Sequence, residues 1–221
     1  MLKFKTLILV CLFIVQSMIL FGKKETDPAF RFFEVGWAND FIFQTDYYYS
    51  NGLNLGFYSP VFEKSPMNFI MLPHGENHRA WHALTITQDF FTPRNTFNEG
   101  INYNDRPYAS YLLFGHRKVA TNQKKQLKWS SEIQIGMLGK FSGGRTVQNG
   151  IHNMLPTSKP SLGWENQIAT DLAINYSAQM EKGIYIYENF LLVPKATARL
   201  GIPYTDFAAG FHFRTGRFHD Y

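Results

Sequence analysis

The sequence predicts an all-β fold, an antiparallel transmembrane β-barrel of about eight strands with a short helix in a long extracellular loop. Apolar and polar residues alternate along several stretches of about ten residues, as they do in strands that cross an outer membrane. Aromatic residues make up 17% of the chain and include 12 tyrosines, and such side chains form girdles at membrane interfaces. Beyond the N-terminal leader, no stretch is long and apolar enough for a spanning helix, so strands would cross the membrane.

Residues 1–22 have the pattern of a secretory signal peptide, and residues 23–221 are expected to form one barrel domain. Lys3 and Lys5 precede an apolar run over residues 6–21, which a small residue closes. An uncleaved membrane anchor and a lipid attached at Cys11 are the alternatives. Cys11 is the single cysteine, so the mature chain would contain neither a disulfide nor a cysteine-bound metal.

The charge of the chain is mildly basic, +5 at pH 7, and loss of the leader with its two lysines would lower it by two. The basic residues are scattered rather than clustered, which argues against nucleic acid as a partner. An anionic membrane surface or a lipid head group is compatible with this charge. The sequence carries no signal for an oligomeric state.

Eight segments carry strand patterns, of which residues 171–180 show the alternation most clearly. The predicted strands are 31–43, 47–59, 80–91, 107–120, 126–140, 165–180, 184–200 and 205–218. Alternation alone does not distinguish a lipid-facing apolar surface from the apolar interior of a soluble barrel, but the signal peptide and the aromatic residues favour lipid outside.

The connections differ in length, as extracellular loops and periplasmic turns do in outer-membrane barrels. Three are long (60–79, 92–106 and 141–163) and four are short, near 44–46, 121–125, 181–183 and 201–204. Because 60–79 and 92–106 follow successive strands, we expect one strand boundary to be misplaced.

The long connection near residues 144–167 holds the best candidates for chemistry. Gln148 and His152 are four residues apart, so one helical turn would place both on the same face. A neutral imidazole there could take a proton from water, and the amide could orient the imidazole or a substrate. The sequence has no Gly-x-Ser-x-Gly motif, so water activated by a histidine and assisted by a cation fits better than a serine nucleophile. The competing histidines are His74, His78, His82, His116, His212 and His219.

An ordered set of short motifs spans residues 34–218. They are Asn39-Asp40, Thr45-Asp46, Tyr49-Ser50-Asn51-Gly52, Asp105-Arg106-Pro107-Tyr108-Ala109, Gln148 with His152, and Gly163-Trp164-Glu165-Asn166-Gln167. Together they resemble the outer-membrane lipid A 3′-O-deacylases of Gram-negative bacteria. The resemblance implies a membrane β-barrel whose site lies near the extracellular rim, between the barrel wall and a helix in a long loop.

The resemblance also implies a reaction: calcium-dependent removal of the 3′-linked acyloxyacyl chain of lipid A in the outer leaflet, by a mechanism similar to that of secreted phospholipase A2. His152 would be the base, with Gln148, Asn39 and Asp40 completing the catalytic site. Asp40 and Asn39 are the expected calcium ligands, since calcium prefers carboxylate and carbonyl oxygens. Ser50 keeps the hydroxyl that the family carries before Asn-Gly and is assigned to substrate binding.

Two of these motifs also have purely structural interpretations. Arg106 could bind a lipid A phosphate in bidentate fashion, or it could pair with Asp105 and pin the loop. Asp46 and Asn51-Gly52 flank the first hairpin, and Asn-Gly is a common turn signal.

The chain departs from the family in size, because members have about twelve strands, within the range of bacterial outer-membrane barrels. Truncation of a larger barrel is the preferred explanation, and closure of a smaller barrel is the alternative. Three other functions remain open: a passive pore or anchor in the outer membrane, a soluble lipid-binding barrel in the periplasm, and an outer-membrane phospholipase.

Overall fold

A computed structural model describes residues 31–39, 48–75, 78–154 and 159–217, which form one antiparallel sheet and one α-helix. The sheet order is β1-β2-β3-β4-β5-β6-β8, and β7 and β9 both pair with β8. The strands are β1 (Phe32–Asn39), β2 (Tyr48–Tyr58), β3 (Arg79–Thr92), β4 (Ala109–Asn122), β5 (Leu127–Leu138), β6 (Asp171–Lys182), β7 (Ile184–Tyr187), β8 (Phe190–Gly201) and β9 (Asp206–Thr215). The helix α1 is Gly144–His152. The predicted all-β barrel class with a short helix in a long loop is confirmed.

The predicted number of strands was too low, because the segment 184–200 contains two strands rather than one. Tyr187 pairs with Phe190 across a turn at residues 188–189, which makes β7 and β8 a hairpin. Glu188 and Asn189 form that turn, so it contains neither glycine nor proline, and it interrupts the apolar pattern for only two residues. Strand β6 begins at Asp171 rather than at 165, since Trp164–Asn166 forms a 3₁₀ helix.

The concave face of the sheet is polar. Arg117 on β4 forms ion pairs with Glu132 on β5 (2.9 Å) and with Glu34 on β1 (3.3 Å). Strands β1 and β4 are three strands apart, and neighbouring strands are about 4.8 Å apart, so these side chains meet only because the sheet curves toward them. Asn54 and Gln134 both donate to Thr87 on the same face. A polar interior is typical of membrane barrels rather than of soluble ones.

The convex face is apolar and exposed. Val35, Trp37, Leu200 and Phe207 are each between 68% and 72% exposed, and Phe33, Leu84, Phe114, Ile135, Leu172, Ile174, Phe211 and Phe213 are more than 40% exposed. An apolar surface of this extent is rare on proteins that face water on all sides and is suited to lipid. None of the helices in the described ranges is long and apolar enough to cross a membrane.

The two rims of the sheet carry different connections. The connections 93–108 and 139–170 leave from the same rim, at the ends of β3 and β5. The long connection that follows β2 lies at the opposite rim. The expectation of a misplaced strand boundary beside this connection is therefore wrong, and the predicted boundaries of β2 and β3 are confirmed. Its 3₁₀ helices, Pro60–Lys64 and Pro66–Ile70, fold back onto the convex face, where Asn68 accepts a hydrogen bond from His116 (3.0 Å).

Candidate active site

Helix α1 begins where the chain leaves β5 and packs on the convex face over β3 and β4. Gly143 has a left-handed backbone (φ 77°), and a Cβ at Gly144 would lie 2.5 Å from the side chain of Ser110, so the start of the helix touches the sheet. Ser110 and Ser142 share a hydrogen bond of 2.5 Å, and the Nε2 of Gln88 donates to the carbonyl of Ser142 (2.6 Å). Polar side chains of two strands therefore fix the entry to the helix.

The buried side of α1 is held by an aromatic cluster. Trp164, which is 1% exposed, packs with Phe90 and Tyr108, and Val147 of the helix joins them. The indole Nε1 of Trp164 donates a 2.7 Å hydrogen bond to Oε1 of Gln148, which is 2% exposed. The predicted helix and the predicted alignment of Gln148 with His152 are present. The buried carboxamide of Gln148, however, contacts the indole rather than an open cavity.

His152 is the last residue of α1, and its ring is oriented by the returning loop. Nδ1 lies 2.8 Å from the carbonyl oxygen of Lys159. Because a carbonyl only accepts, Nδ1 carries the proton, and in the neutral ring the lone pair is on Nε2. Asn149 fixes the loop that supplies this carbonyl: its Nδ2 donates to the carbonyl of Ser161 (3.2 Å), and its Oδ1 accepts from the amide of Ser161 (2.8 Å).

Asn39 is the last residue of β1 and lies on the same convex face and the same rim as α1. Its Nδ2 donates to the carbonyl of Ser50 (3.0 Å) and to Oδ1 of Asn51 (3.2 Å). Oδ1 of Asn51 also accepts from Nε1 of Trp37 (2.8 Å). Strand β2 thus holds the carboxamide nitrogen of Asn39, which makes its oxygen the atom that could coordinate a cation.

Ser50 occupies a β-bulge near the start of β2. Tyr49 pairs with Phe91 and Asn51 pairs with Phe90, so Ser50 is the extra residue between two paired positions. Its hydroxyl is 2.7 Å from that of Thr92. Ser50 is 2% exposed, and its role in substrate binding stays a prediction. Asn51 and Gly52 lie inside β2, in agreement with the predicted strand 47–59, so the alternative in which Asn-Gly only forms a turn does not apply.

Arg106 lies in the loop 93–108 on the same rim, with its guanidinium 4.5 Å from the centre of the Tyr48 ring. The carboxylate of Asp105 pins this loop, but through backbone amides rather than through the expected arginine side chain: it accepts from the amides of Arg94 (2.7 Å) and Arg106 (2.8 Å). These backbone hydrogen bonds lower the pKa of Asp105. Arg106 therefore presents an exposed, stacked guanidinium beside β2.

The structure brings Asn39, Ser50, Gln148 and His152 to one rim and to the convex side of the sheet. Asn51 pairs with Phe90, whose ring contacts Trp164, and Trp164 bonds to Gln148 one turn before His152. Asp40 and Asp46 lie outside the described residues. Within the described ranges no group of three or more histidine, cysteine, aspartate or glutamate side chains could hold a metal ion.

The carbonyl oxygen of Ser50 and Oδ1 of Asn51 accept from Nδ2 of Asn39, so they are not counted as ligands of an ion at Asn39. A carboxamide oxygen is a hard donor of the kind that calcium prefers. Asn39 therefore fits calcium in the type of its donor atom, and further oxygen ligands, including a carboxylate, are needed to hold the ion.

The family model for outer membrane protein LpxR matches residues 7–221. The chain belongs to this family. Among solved structures, LpxR from Salmonella typhimurium is similar, with a TM-score of 0.63 at 20% sequence identity over 81% of this chain. The chain spans about three fifths of the length of that protein, since 61% of the Salmonella chain is covered. No curated protein sequence matches.

The family indicated by the motifs is thus confirmed, and so is the outer-membrane localisation. In outer-membrane barrels the longer loops are extracellular. Two of the three long connections, 93–108 and 139–170, leave from the rim that carries α1, so this rim of the LpxR-family sheet is expected to be extracellular, and the rim with the connection 59–78 and the turn at 123–126 is expected to be periplasmic.

Sequence reasoning missed the residues that position the site, namely Asn51, Asn149 and Gln88. Asn149 directly follows Gln148, and an asparagine inside a short helix is a weak signal of a side-chain clamp onto a neighbouring loop. Asn51 lies in the predicted strand 47–59, and its Asn-Gly pair was weighed only as a turn signal or a catalytic candidate rather than as a support for Asn39. Nothing in the sequence distinguishes Gln88 from the other polar residues of β3.

Proposed function

We propose that this LpxR-family protein hydrolyses an acyl ester of lipid A in the outer leaflet and removes the 3′-linked acyloxyacyl chain. The observation that carries the proposal is the position of His152 and Asn39 at one rim, on the lipid-facing side of the sheet. A site on that surface meets a lipid substrate whose acyl chains stay in the membrane. Family membership and the ordered motifs support the same activity.

His152 acts as the general base. The hydrogen bond from Nδ1 to the carbonyl of Lys159 orients the ring and leaves Nε2 as the proton-accepting atom. Nε2 takes a proton from water while the water oxygen forms a bond to the ester carbonyl carbon. The bond between the ester carbonyl carbon and the 3′-oxygen of the sugar then breaks, and the proton passes from Nε2 to the leaving 3′-oxygen. The products are the free acyloxyacyl acid and a 3′-hydroxyl, so atoms and charge balance.

Asn39 and Asp40 would hold the calcium ion. When bound, calcium supplies positive charge that stabilises the negative charge developing on the carbonyl oxygen. The chain itself fixes Asn39 through Ser50 and Asn51, so the carboxamide is oriented before substrate binds. Such preorganisation lowers the cost of binding and of reorganisation in the transition state.

Arg106 positions the substrate through a phosphate of lipid A. Its guanidinium is exposed and stacks on Tyr48, which leaves the planar donor edge available for a bidentate contact with phosphate oxygens. The hydroxyl of Ser50 forms a hydrogen bond with that of Thr92 on β3, which supports the site from the sheet. A contact between Ser50 and the substrate is part of the same proposal.

The test uses the purified full chain in detergent with lipid A as substrate and mass spectrometry of the products. We expect the loss of one acyloxyacyl chain in the presence of calcium, and no loss after chelation. His152→Ala should abolish hydrolysis while heat-modifiable migration of the barrel is unchanged. His212→Ala, which alters a histidine on the concave face, is the matched control and should retain activity.

The outcomes separate the rival functions. Full activity in His152→Ala would contradict the assignment of the base. Hydrolysis of phospholipid in preference to lipid A would identify an outer-membrane phospholipase. An intact barrel that hydrolyses neither substrate would identify a passive barrel.

A further inference from the structure

A pocket at the same rim as the candidate active site lies between the loop 93–108 and the segment 163–166. Its volume is about 300 Å³, at the lower end of the range for small-ligand sites. The amide of Leu162 donates a 2.8 Å hydrogen bond to the carbonyl of Thr96. Nδ2 of Asn166 donates another of 2.8 Å to the carbonyl of Glu99, so the two walls are joined to each other. We call it the rim pocket, and its lining includes Asn95, Asn98, Asn102, Tyr103, Arg106 and Asn166.

Three asparagines give the rim pocket hydrogen-bond donors. Asn95, Asn98 and Asn102 are exposed, and Oδ1 of each accepts a hydrogen bond from the backbone amide two residues later (3.0, 2.9 and 3.1 Å). These bonds fix the orientation of the three carboxamides. Within the described ranges no hydrogen bond uses their NH2 groups, each of which has two N–H donors. The pocket therefore offers oriented donors to a ligand that is rich in acceptor oxygens.

The rest of the polar lining is aromatic and charged. Tyr103 is 89% exposed, so the face of its ring is open to a ligand, and an aromatic face suits the C–H face of a sugar ring. Arg106 adds an exposed guanidinium, and Asp105 adds a carboxylate that can accept from hydroxyl groups. Donors, an acceptor and an aromatic face together match a sugar, whose hydroxyl groups surround an apolar ring. An acyl chain fits poorly, because it would remove these polar groups from water without replacing their hydrogen bonds.

The rim pocket is next to the residues assigned to the substrate. Arg106 lines it and is also the residue that the proposed function places at a lipid A phosphate. Lys159, whose carbonyl orients His152, is four residues before Gly163, which lines the pocket. Four residues of chain span at most about 14 Å. The loop 93–108 extends beyond the ends of β3 and β4, so a substrate bound at His152 has the pocket beside its polar part.

We propose that the rim pocket binds a sugar of the polysaccharide that extends outward from lipid A in lipopolysaccharide. This inference rests on the proposed function, because it takes a lipid A ester to be bound beside His152. The NH2 groups of the asparagines donate to oxygens of the sugar, and the ring of Tyr103 packs against its C–H face. The acyl chains stay on the lipid-facing side of the sheet, while the saccharide occupies the loops beyond the strand ends. The pocket thus makes intact lipopolysaccharide a better substrate than free lipid A.

Binding of saccharides that carry no acyl chains tests the pocket without any hydrolysis. One probe is lipooligosaccharide from which base has removed all acyl chains, and the other is lipid A treated in the same way. The two probes differ only in the sugars attached to the lipid A backbone. Isothermal titration calorimetry with the purified full chain in detergent should give a Kd about tenfold lower for the probe that carries these sugars. Equal Kd values for the two probes would overturn the proposal.

Two substitutions locate the bound sugar. Asn102→Asp keeps the oxygen that accepts from the backbone and replaces the NH2 group with an acceptor, and Tyr103→Ala removes the ring. Each should raise the Kd of the sugar-containing probe by about tenfold. Asn104→Asp makes the same charge change in the same loop but outside the pocket lining, and it should bind as the wild type does. Tyr187→Ala, at an exposed tyrosine beside the β7–β8 turn, is the control for loss of a ring. Wild-type affinity in both pocket variants would show that the sugar binds elsewhere and would overturn the proposal.

Hydrolysis rates distinguish a failure of this inference from a failure of the proposed function. The wild type should hydrolyse lipopolysaccharide with a higher kcat/KM than lipid A, and Asn102→Asp should lower the ratio of the two values by about tenfold. Equal kcat/KM values for the two substrates in the wild type would contradict the role of the pocket. A protein that hydrolyses neither substrate would contradict the proposed function, and the titrations with the acyl-free probes would still decide whether the pocket binds a sugar.

Discussion

The substitution Gln148→Leu tests how helix α1 is held on the barrel wall. In the wild type, Oε1 of Gln148 accepts a 2.7 Å hydrogen bond from the indole of Trp164, and both residues are almost fully buried. Leucine is similar in size but cannot accept, so the indole N–H would be buried without a partner. Leaving such a donor unsatisfied costs about 1–3 kcal/mol.

That cost is expected to appear as local opening of the helix rather than as unfolding of the sheet. A free-energy change of about 1–3 kcal/mol corresponds to a change of roughly 5- to 150-fold in the population of the detached helix. Hydrogen exchange measured by mass spectrometry should show this loss of protection in the peptide that contains residues 144–152. Protection of β3 and β4 should not change, and Gln123→Leu, at an exposed turn, should have no effect in either region.

A double-mutant cycle with Trp164→Phe isolates the pair. If the hydrogen bond is the main link, the double variant should be at least about 1 kcal/mol less destabilised than the sum of the single variants. Deacylation should fall in parallel with the population of the seated helix, as expected for a residue that positions His152. Unchanged protection of α1 in Gln148→Leu, or additive effects in the cycle, would refute this account of the helix.

Three other perturbations probe the site and the wall. Asn149→Ala removes both hydrogen bonds to Ser161 and should lower kcat of lipid A hydrolysis by about 10- to 100-fold with little change in KM, because each bond contributes about 1 kcal/mol to the placement of the loop that orients His152. The pKa of Asp105 is lowered in the folded protein. The ionised carboxylate therefore stabilises loop 93–108 above the unfolded pKa, and this stabilisation is lost as pH falls through the folded pKa. Proteolysis of the loop should be slow from pH 7 down to about 4 in the wild type and fast over the same range in Asp105→Ala. Arg117→Met leaves the carboxylate of Glu132, which is 10% exposed, without its cation. The free energy of unfolding should fall by about 3–5 kcal/mol in denaturant titrations. A change below about 1 kcal/mol would show that this ion pair does not stabilise the sheet.

The strands could be predicted from the sequence because the two faces of this sheet differ so strongly in polarity. Period-two alternation placed β2, β3 and β4 within about two residues of their observed ends. The β7–β8 hairpin was missed because its turn, Glu188 and Asn189, has no glycine or proline and interrupts the apolar pattern for only two residues. The sequence also did not reveal that the connection after β2 folds back over the sheet, since loop length alone says nothing about which surface a loop covers.

The helix of the candidate site could be predicted from the sequence, but the contacts of its residues could not. The spacing of Gln148 and His152 correctly indicated one helical face, yet the direction of each side chain depends on Trp164 and Lys159, which follow several residues later in the loop. The β-bulge at Ser50, next to the Asn-Gly pair inside β2, could not be predicted from the alternation of residues alone. Contacts between distant segments, such as Asn39 with Asn51, require the register of the sheet.

The mass of lipid A extracted from cells is the most direct test of the central claim, that His152 and Asn39 form a hydrolytic site facing the outer leaflet. Cells that express the full chain should contain lipid A lighter by one acyloxyacyl chain than cells without it. Cells that express the same amount of His152→Ala or Asn39→Ala in the outer membrane should contain only the unmodified form. Lipid A of unchanged mass in the wild-type strain, or of equally reduced mass in the His152→Ala strain, would contradict the account.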